Sequence, residues 1–172
     1  MPHARLRFLP ALALAFAALA TVAEPLPEYA VKAAFLYNFF KFVEWPAADE
    51  RGVFELCLMG EDPFGDALSS LEGKQAQQRT VRITRNAATG QARSCHLLFI
   101  GEQAENRLAS VLRALENAPV LTVGDTEGFV AAGGMIGLVM ADNRVQVEIN
   151  LRAVEKAGLK ISSQLLKLAH VK

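Results

Sequence analysis

The sequence predicts an α/β protein, a single compact domain in which a mixed β-sheet is flanked by helices. Nearly continuous apolar runs closed by glycine occur at 53–59 and 95–100, as in buried sheet strands. Segments with helical periodicity lie between most of the strand-like runs. Late in the chain, apolar runs at 135–140 and 145–149 flank an Asp-Asn turn at 142, which predicts a hairpin and therefore a mixed sheet.

Length and composition indicate one folded domain and argue against a nucleic-acid-binding protein. The chain has 172 residues, of which 52% are hydrophobic and 21% charged, so it is long and apolar enough for one folded domain. The 18 Lys and Arg residues are balanced by 18 Asp and Glu residues. Because a phosphate backbone is bound by clustered excess cations, this balance argues against a nucleic-acid partner.

The first 23 residues have the layout of a secretory signal peptide. Arg5 and Arg7 precede an apolar run from Phe8 to Leu19, and small residues then allow cleavage after Ala20 or, as we favour, Ala23. The run is shorter than the roughly 20 residues that cross a bilayer, and no later stretch is long enough. We therefore expect residues 1–23 to be removed and residues 24–172 to form an exported domain with no membrane span.

The first element of the domain is predicted to be a largely buried helix over 28–45. Pro27 suits the start of a helix and Pro46 its end. The segment contains four phenylalanines and few charges, which makes it too apolar for a surface helix and too charged for a membrane span. An aromatic stripe of this kind is typical of a core.

The remaining elements follow from apolar periodicity and from residues that start or stop helices. Asp62 and Pro63 favour a helix start, Asn150 caps a later helix, and Ser162 or Ser163 caps the last one. Strands are predicted at 53–59, 79–84, 95–100, 120–123, 135–140 and 145–149. Helices are predicted at 62–71, 103–116, briefly at 129–132, at 151–157 and from 163 through Leu168.

Two cysteines remain in the predicted domain, Cys57 and Cys95. An even number in an oxidising compartment favours a disulfide, here closing a loop of about 38 residues. Two free thiols are the first alternative. The second is a nucleophilic Cys95 next to His96, although neighbours on an extended strand point to opposite faces.

The sequence contains none of the searched motifs for catalysis, metals or phosphate. The glycines match neither dinucleotide nor P-loop spacing, the two remaining histidines lie far apart, and no serine sits in a nucleophile elbow. We therefore expect no cofactor, no metal and no enzymatic activity. If the protein were an enzyme, the residues available for acid–base chemistry would be Asp125, Glu127 and His96.

Several segments together resemble the YfiR family of exported bacterial proteins, over about Tyr29 to Ala169. The resemblance lies in the order and spacing of YAVKAAFLYNFFKFVEWP, GEDPFG, ARSCHLLFIG, PVLTVGDTEGF, GGMIGLV and INLRAVEKAGLKISSQLLKLA. It implies a non-enzymatic periplasmic regulator that binds the periplasmic sensing segment of an inner-membrane diguanylate cyclase, or of another membrane sensor protein, and represses it. It also implies a compact α/β fold and is compatible with a homodimer.

The resemblance bears on the cysteines as well. Cys57 and Cys95 match a disulfide position of the family. A second family disulfide would fall within 129–137, where this chain has Val130 and Gly137 and no cysteine. Redox control through a second bridge is therefore not expected in this protein.

The partner surface and the main alternative function can be placed only provisionally. Apolar residues that could contact a partner are Phe129, Val130, Leu165 and Leu168. The alternative is a small-ligand-binding accessory module. Its cleft would be formed by the strand-end loops 60–65, 101–105 and 124–129, because ligands of open α/β sheets bind at the carboxyl ends of the strands.

Overall fold

The computed structural model describes residues 27–46 and 52–172, and the predicted signal peptide lies outside them. The strands of the described part are β1 (Val43–Glu44), β2 (Val53–Met59), β3 (Gln75–Ala76), β4 (Arg79–Thr84), β5 (Leu97–Ile100), β6 (Leu121–Gly124), β7 (Ile136–Ala141), β8 (Arg144–Ile149), β9 (Lys160–Ile161) and β10 (Ala169–Val171). The α-helices are α1 (Glu28–Phe42), α2 (Asp66–Ser69), α3 (Leu108–Ala114), α4 (Leu151–Lys156) and α5 (Ser163–Leu166). Two 3-10 helices lie at Thr89–Ser94 and Glu102–Arg107.

Eight of these strands form one mixed sheet, which confirms the predicted fold class. Their order is β10-β8-β7-β6-β5-β2-β4-β3. The run from β4 to β7 is parallel, and β10 is parallel to β8, whereas β3 and β8 run antiparallel to β4 and β7. Asp142 and Asn143 both have positive φ in the β7–β8 turn, as the tight hairpin turn requires.

The central strands are apolar on both sides because helices cover both faces of the sheet. On one face, α1, α2, α4 and α5 pack against side chains of the sheet such as Leu56 and Phe99. On the other face, α3 and the two 3-10 helices pack against side chains such as Met59 and Leu98. Strand β2 has the predicted bounds, and its last four residues are all buried.

Helix α1 is shorter than predicted and ends at Phe42 instead of residue 45. Val43 is extended and pairs with Ile161 in the small antiparallel sheet of β1 and β9. A residue before a proline is also sterically disfavoured in helical conformation, and Trp45 precedes Pro46. The helix prediction was therefore wrong for its last turn, where tertiary pairing and Pro46 both favour extended backbone.

Other predicted elements are also shorter in the structure. The helix expected over 103–116 starts as a 3-10 helix and is α-helical only in α3, while 129–132 forms turns. The last helix, capped by Ser162, ends at Leu166, so Leu168 lies outside it. Asn150 caps α4 as predicted and accepts a hydrogen bond from the Ala153 N–H.

The structure joins Cys57 and Cys95 in a disulfide, with 5.9 Å between the Cα atoms. Both residues are buried, and the described residues include no free cysteine. The two alternatives considered for the cysteines, free thiols and a nucleophile, are therefore wrong. The bridge ties β2 to the residue that leads into β5.

Replacing both cysteines, as C57A/C95A, is expected to lower the free energy of unfolding by about 4 kcal/mol. The reason is that the unfolded chain regains the freedom of a 38-residue separation. Urea denaturation followed by circular dichroism measures the change, and wild-type protein unfolded with excess thiol reductant is the control. Equal stability of the variant and the oxidised wild type would contradict the expectation.

Candidate functional site

A cleft of about 560 Å³ opens at the carboxyl ends of β2, β5 and β6. From β2 the chain continues to β4 on one side, and from β5 it continues to β6 on the other. The connections therefore diverge between β2 and β5, which is where open α/β sheets bind ligands. The structure brings together around this cleft parts of the three loops that the sequence singled out for a ligand site.

Acidic side chains dominate the lining of the cleft. Seven of the thirteen lining residues are Asp or Glu: Glu28, Glu61, Asp62, Glu102, Glu105, Asp125 and Glu127. Lys32 is the one cationic residue among the thirteen. The cleft therefore carries a strongly negative potential, which an approaching cation would experience before contact.

A buried charged network forms one wall. The Lys32 ammonium is almost fully buried, donates a 2.9 Å hydrogen bond to Asp125 Oδ2 and also pairs with Glu28. The Tyr29 hydroxyl donates to the same Asp125 oxygen at 3.0 Å. Two carboxylates thus share one ammonium, so the network satisfies the buried lysine and leaves an excess of negative charge.

Helix α1 places three of these groups because its first turns face the cleft. Glu28 and Lys32 are four residues apart and therefore lie on the same side of the helix. The Tyr29 ring packs edge-on against Phe64 with centroids 5.2 Å apart, and Phe64 in turn packs on Phe99 of β5 at 4.8 Å. These aromatic contacts fix the start of α1 over the strand ends.

The loop after β2 is held by Asp62. One carboxylate oxygen of Asp62 accepts hydrogen bonds from the backbone N–H groups of Phe64 and Gly65. The other pairs with Arg85 Nε at 2.7 Å. Asp62 is therefore the one cleft acid outside the buried network that has a cationic partner among the described residues.

The loop after β6, which carries Asp125, is anchored by Phe129. Its buried ring lies against Gly124 and Gly134 so closely that a Cβ at either glycine would fall within 2.4 Å of a ring carbon. Neither glycine needs positive φ, so the requirement for glycine here comes from the ring. Packing of Phe129 thereby sets where the loop brings Asp125.

Of the three residues considered for catalysis, Asp125 and Glu127 both line the cleft, whereas His96 does not. His96 precedes β5 and is fully buried at the opposite end of the sheet from Asp125, and its Nδ1 accepts a hydrogen bond from the Glu55 N–H at 2.9 Å. Glu127 is exposed on the loop after β6. The length of the parallel strands therefore separates His96 from the two acids.

The four residues considered for partner contact have different environments. Phe129 and Val130 are buried against α3, and Leu165 is buried in the core beneath α5. The surface exposure that partner contact requires is therefore absent at these three residues, because the domain uses their apolar side chains for its own packing. Leu168 is 72% exposed and meets the requirement.

Comparisons with known proteins agree with the fold. A family profile described as YfiR/HmsC-like matches residues 29–170. A solved structure described as a conserved domain protein from Vibrio cholerae O1 biovar eltor is similar, with a TM-score of 0.59 and 11% sequence identity over 81% of this chain. This chain spans 60% of that protein, and at such identity the likeness concerns the fold alone.

A second solved structure, described as an ABC domain in complex with L-Trp from Streptococcus pneumonia, has a TM-score of 0.49 and 11% identity. The alignment covers 70% of this chain and 55% of that one.

Replacing Tyr29, as Tyr29→Phe, is expected to cost about 1 kcal/mol of stability at neutral pH, because the hydrogen bond to Asp125 is lost. Burial, reinforced by the Asp125 carboxylate, raises the pKa of the Tyr29 phenol above its ordinary value of about 10. As the pH rises, the Tyr29 phenol therefore ionises in the unfolded chain before it does in the folded domain. The extra stability of the wild type over the variant is present below a pH of about 10 and shrinks above it. Urea denaturation of both proteins between neutral and alkaline pH measures this; a difference that stays constant would contradict it.

Replacing Gly134, as Gly134→Ala, is expected to destabilise the domain by about 1–3 kcal/mol, because the new methyl group would overlap the Phe129 ring. Gly90→Ala is the matched control, since a Cβ there meets nothing within 4 Å. Thermal unfolding of the two variants and the wild type measures the effect. Equal losses in the two variants would show that Phe129 does not constrain the loop.

Proposed function

The chain belongs to the YfiR/HmsC-like family, and on this basis we propose that it binds and represses the sensor segment of an inner-membrane diguanylate cyclase. Binding takes place in the periplasm and lowers cyclic di-GMP output inside the cell. The protein acts without catalysis, by contact with a partner. The signal peptide predicted for residues 1–23 would export it to the compartment that the sensor segment faces.

Two features of the domain support this location and role. Membership of the family supports a periplasmic regulator of cyclic di-GMP signalling. The buried disulfide between Cys57 and Cys95 fits an oxidising compartment. Within residues 27–46 and 52–172, no helix has the length and apolar character to cross a bilayer.

The observation that carries partner binding is the exposure of two apolar side chains, Leu168 and Val171, at the β10 edge of the sheet. Among the described residues, the exposed large hydrophobics are Met140, Leu168 and Val171, at 46%, 72% and 51% exposure. Met140 lies on β7, Val171 on β10, and Leu168 in the turn just before β10. Met140 pairs with Val145 and Val171 with Ile149, at opposite ends of β8, so Met140 lies apart from the other two. Exposed apolar side chains at an edge strand are typical of a protein-binding surface.

Strand β10 has one edge whose backbone groups are not paired with another strand of the described residues. β10 pairs with β8 on one side, and no strand of the described residues pairs with its other side. An extended segment of the partner can therefore add to the sheet along β10, with backbone hydrogen bonds for affinity and Leu168 for side-chain contact. β10 is only three residues long and is followed by Lys172, features that restrict unselective pairing at an edge.

Repression follows from a difference in affinity. If the protein binds the inactive arrangement of the sensor more tightly than the active one, it shifts the population toward the inactive state. Moving a two-state sensor from mostly active to mostly inactive takes a preference of about 10⁴-fold. Release of the domain restores the original population and cyclic di-GMP synthesis rises.

The β10 edge would also accept a second copy of this chain, which makes a homodimer a competing use of the same surface. Two such edges can pair about a two-fold axis, as closed dimers commonly do. The proposal assigns the edge to the sensor segment, so that a homodimer formed through β10 is the partner-free state of the protein.

A second candidate function, binding of a small ligand, is favoured by the cleft at the strand ends. Its volume of about 560 Å³ lies within the ordinary range for small-molecule sites. The cleft and the β10 edge lie on different strands, so the two functions are compatible in one protein.

The variant Leu168→Asp is expected to weaken binding to the cyclase sensor segment by about tenfold or more, because it places a charge in an apolar contact. Stability is expected to stay within about 0.5 kcal/mol, since Leu168 is exposed. The control is Ala109→Asp, an equally charged change at an exposed position of α3. Recovery of the cyclase from detergent-solubilised membranes and cellular cyclic di-GMP are the measurements.

Cells that carry Leu168→Asp should contain more cyclic di-GMP than cells with the wild type or the control. If wild-type protein recovers no transmembrane signalling protein from membranes, the proposed function is wrong. If the cyclase is recovered equally with all three proteins, the function stands and the assignment of the surface to β10 is wrong.

A further inference from the structure

We infer that the free edge of β10 binds an extended peptide segment in which apolar and acidic residues alternate. The inference rests on the proposed function for the use of this edge, and it adds the chemistry of the segment that binds there. It follows from the way in which the opposite edge of the sheet is closed, the backbone groups that β10 leaves free and the charges beside β10.

The opposite edge of the sheet, along β4, has its hydrogen-bonding groups occupied. β3 pairs with the first two residues of β4. The Val81 N–H then donates to the Lys74 carbonyl, and the Val81 carbonyl accepts from the Gly73 N–H. The N–H of Ile83 donates to the Glu72 carboxylate at 2.8 Å. Because a charged side chain takes up the last of these groups, another strand is prevented from adding at this edge.

The edge of β10 keeps its backbone groups available. The Lys172 N–H donates to the Ile149 carbonyl of β8. Since the backbone groups of successive strand residues point to opposite edges, those of Ala169 and Val171 point away from β8. No strand of the described residues lies on that side. Each of the two residues therefore offers an N–H donor and a carbonyl acceptor to an added strand.

The two faces of β10 favour different side chains in an added strand. Val171 is paired with Ile149, which belongs to the buried core, so Val171 lies on the core face. His170 is paired with Glu148 on the other face, where Lys172 also reaches Glu148. Every second side chain of an added strand would therefore lie beside an apolar group, and the side chains between them would lie beside polar groups. This alternation matches a segment in which apolar residues alternate with charged ones.

The charges around β10 favour acidic residues in the segment. Arg144, Arg152 and Lys167 are exposed, and within the described part of the chain none of them forms an ion pair. Of the acids on β8 and its turn, Glu148 is already in an ion pair and Asp142 is exposed. The three unpaired cations outnumber this one unpaired acid, so the edge attracts negative charge.

Two hollows flank β10, and each combines an exposed apolar side chain with one of these arginines. Leu168 and Arg144 line the first hollow, of about 390 Å³. Val171 and Arg152 line the second, of about 610 Å³. The apolar side chains of a bound segment would contact Leu168 and Val171, while its carboxylates pair with the arginines. The segment would thus be held at both ends of β10.

The test uses three synthetic peptides with the same fluorophore: TVEVEVT, its lysine counterpart TVKVKVT, and EEVVVTT, which has the composition of the first without its alternation. Fluorescence anisotropy with the purified wild-type domain measures the dissociation constants at about 20 mM and about 200 mM NaCl. At low salt the domain is expected to bind TVEVEVT about tenfold more tightly than either of the other two. At high salt the difference between the glutamate and lysine peptides is expected to shrink, because salt screens the charges.

Two variants test the two parts of the inference. R144E/R152E is expected to weaken binding of TVEVEVT by about tenfold or more, whereas the control R107E/R113E, with the same change of charge on the other side of the sheet, is expected to bind as the wild type does. Val171→Pro removes an outward N–H without removing a bond to β8, and it is expected to weaken binding by about tenfold. Circular dichroism verifies that each variant is folded.

Equal binding of the three peptides, or no binding of TVEVEVT by the wild type, would overturn the inference. Equal losses in R144E/R152E and R107E/R113E, or unchanged binding by a folded Val171→Pro variant, would also overturn it. The peptides are measured without the cyclase, so the two failures are distinguishable. A domain that recovers the cyclase from membranes but does not discriminate among the peptides disproves this inference alone, and a domain that discriminates among them but recovers no cyclase disproves the proposed function.

Discussion

The parallel pairing of β2 with β5 is the contact on which the rest of the structure depends. The two strands lie at the centre of the sheet, with helices on both faces, and the Cys57–Cys95 disulfide holds them together. The chain leaves them in opposite directions, toward β4 and toward β6. Their buried apolar side chains therefore stabilise the domain at the same place where diverging connections leave an open cleft.

Much of this centre could be predicted from the sequence, because buried parallel strands leave a strong local signal. The run over 53–59 has the predicted bounds, and the hairpin was marked by its Asp-Asn turn. The short strands β3, β9 and β10 left no such signal. Two or three residues have no measurable periodicity, and their extended form depends on a partner strand elsewhere in the chain.

The position of the candidate site could be predicted from the sequence, but the contacts among its residues could not. The three strand-end loops were identified from the rule for open α/β sheets. The contact between Lys32 and Asp125 was missed because the two residues are 93 positions apart and only the i,i+4 pair of Lys32 with Glu28 is local. Burial of Phe129, Val130 and Leu165 was likewise missed, because an apolar side chain looks the same in sequence whether it packs inward or outward.

The structure thus separates two kinds of surface. The acidic cleft lies over the centre of the sheet, where α1 and three loops meet, whereas the exposed Leu168 and Val171 lie at its β10 edge. Protein contact at one and ligand binding at the other need no shared residue. A ligand could alter partner affinity only if it changed the balance between two arrangements of the domain, as any coupling of separate sites requires.

The most direct test of the central claim uses the cyclase in membrane vesicles with its periplasmic side outward and its substrate enclosed. Purified domain is added outside, and cyclic di-GMP synthesis inside is followed with increasing protein. The account predicts a saturable fall in the rate of synthesis, reversed when the domain is washed away. An unchanged rate at saturating protein, with the cyclase active and its sensor accessible, would contradict it.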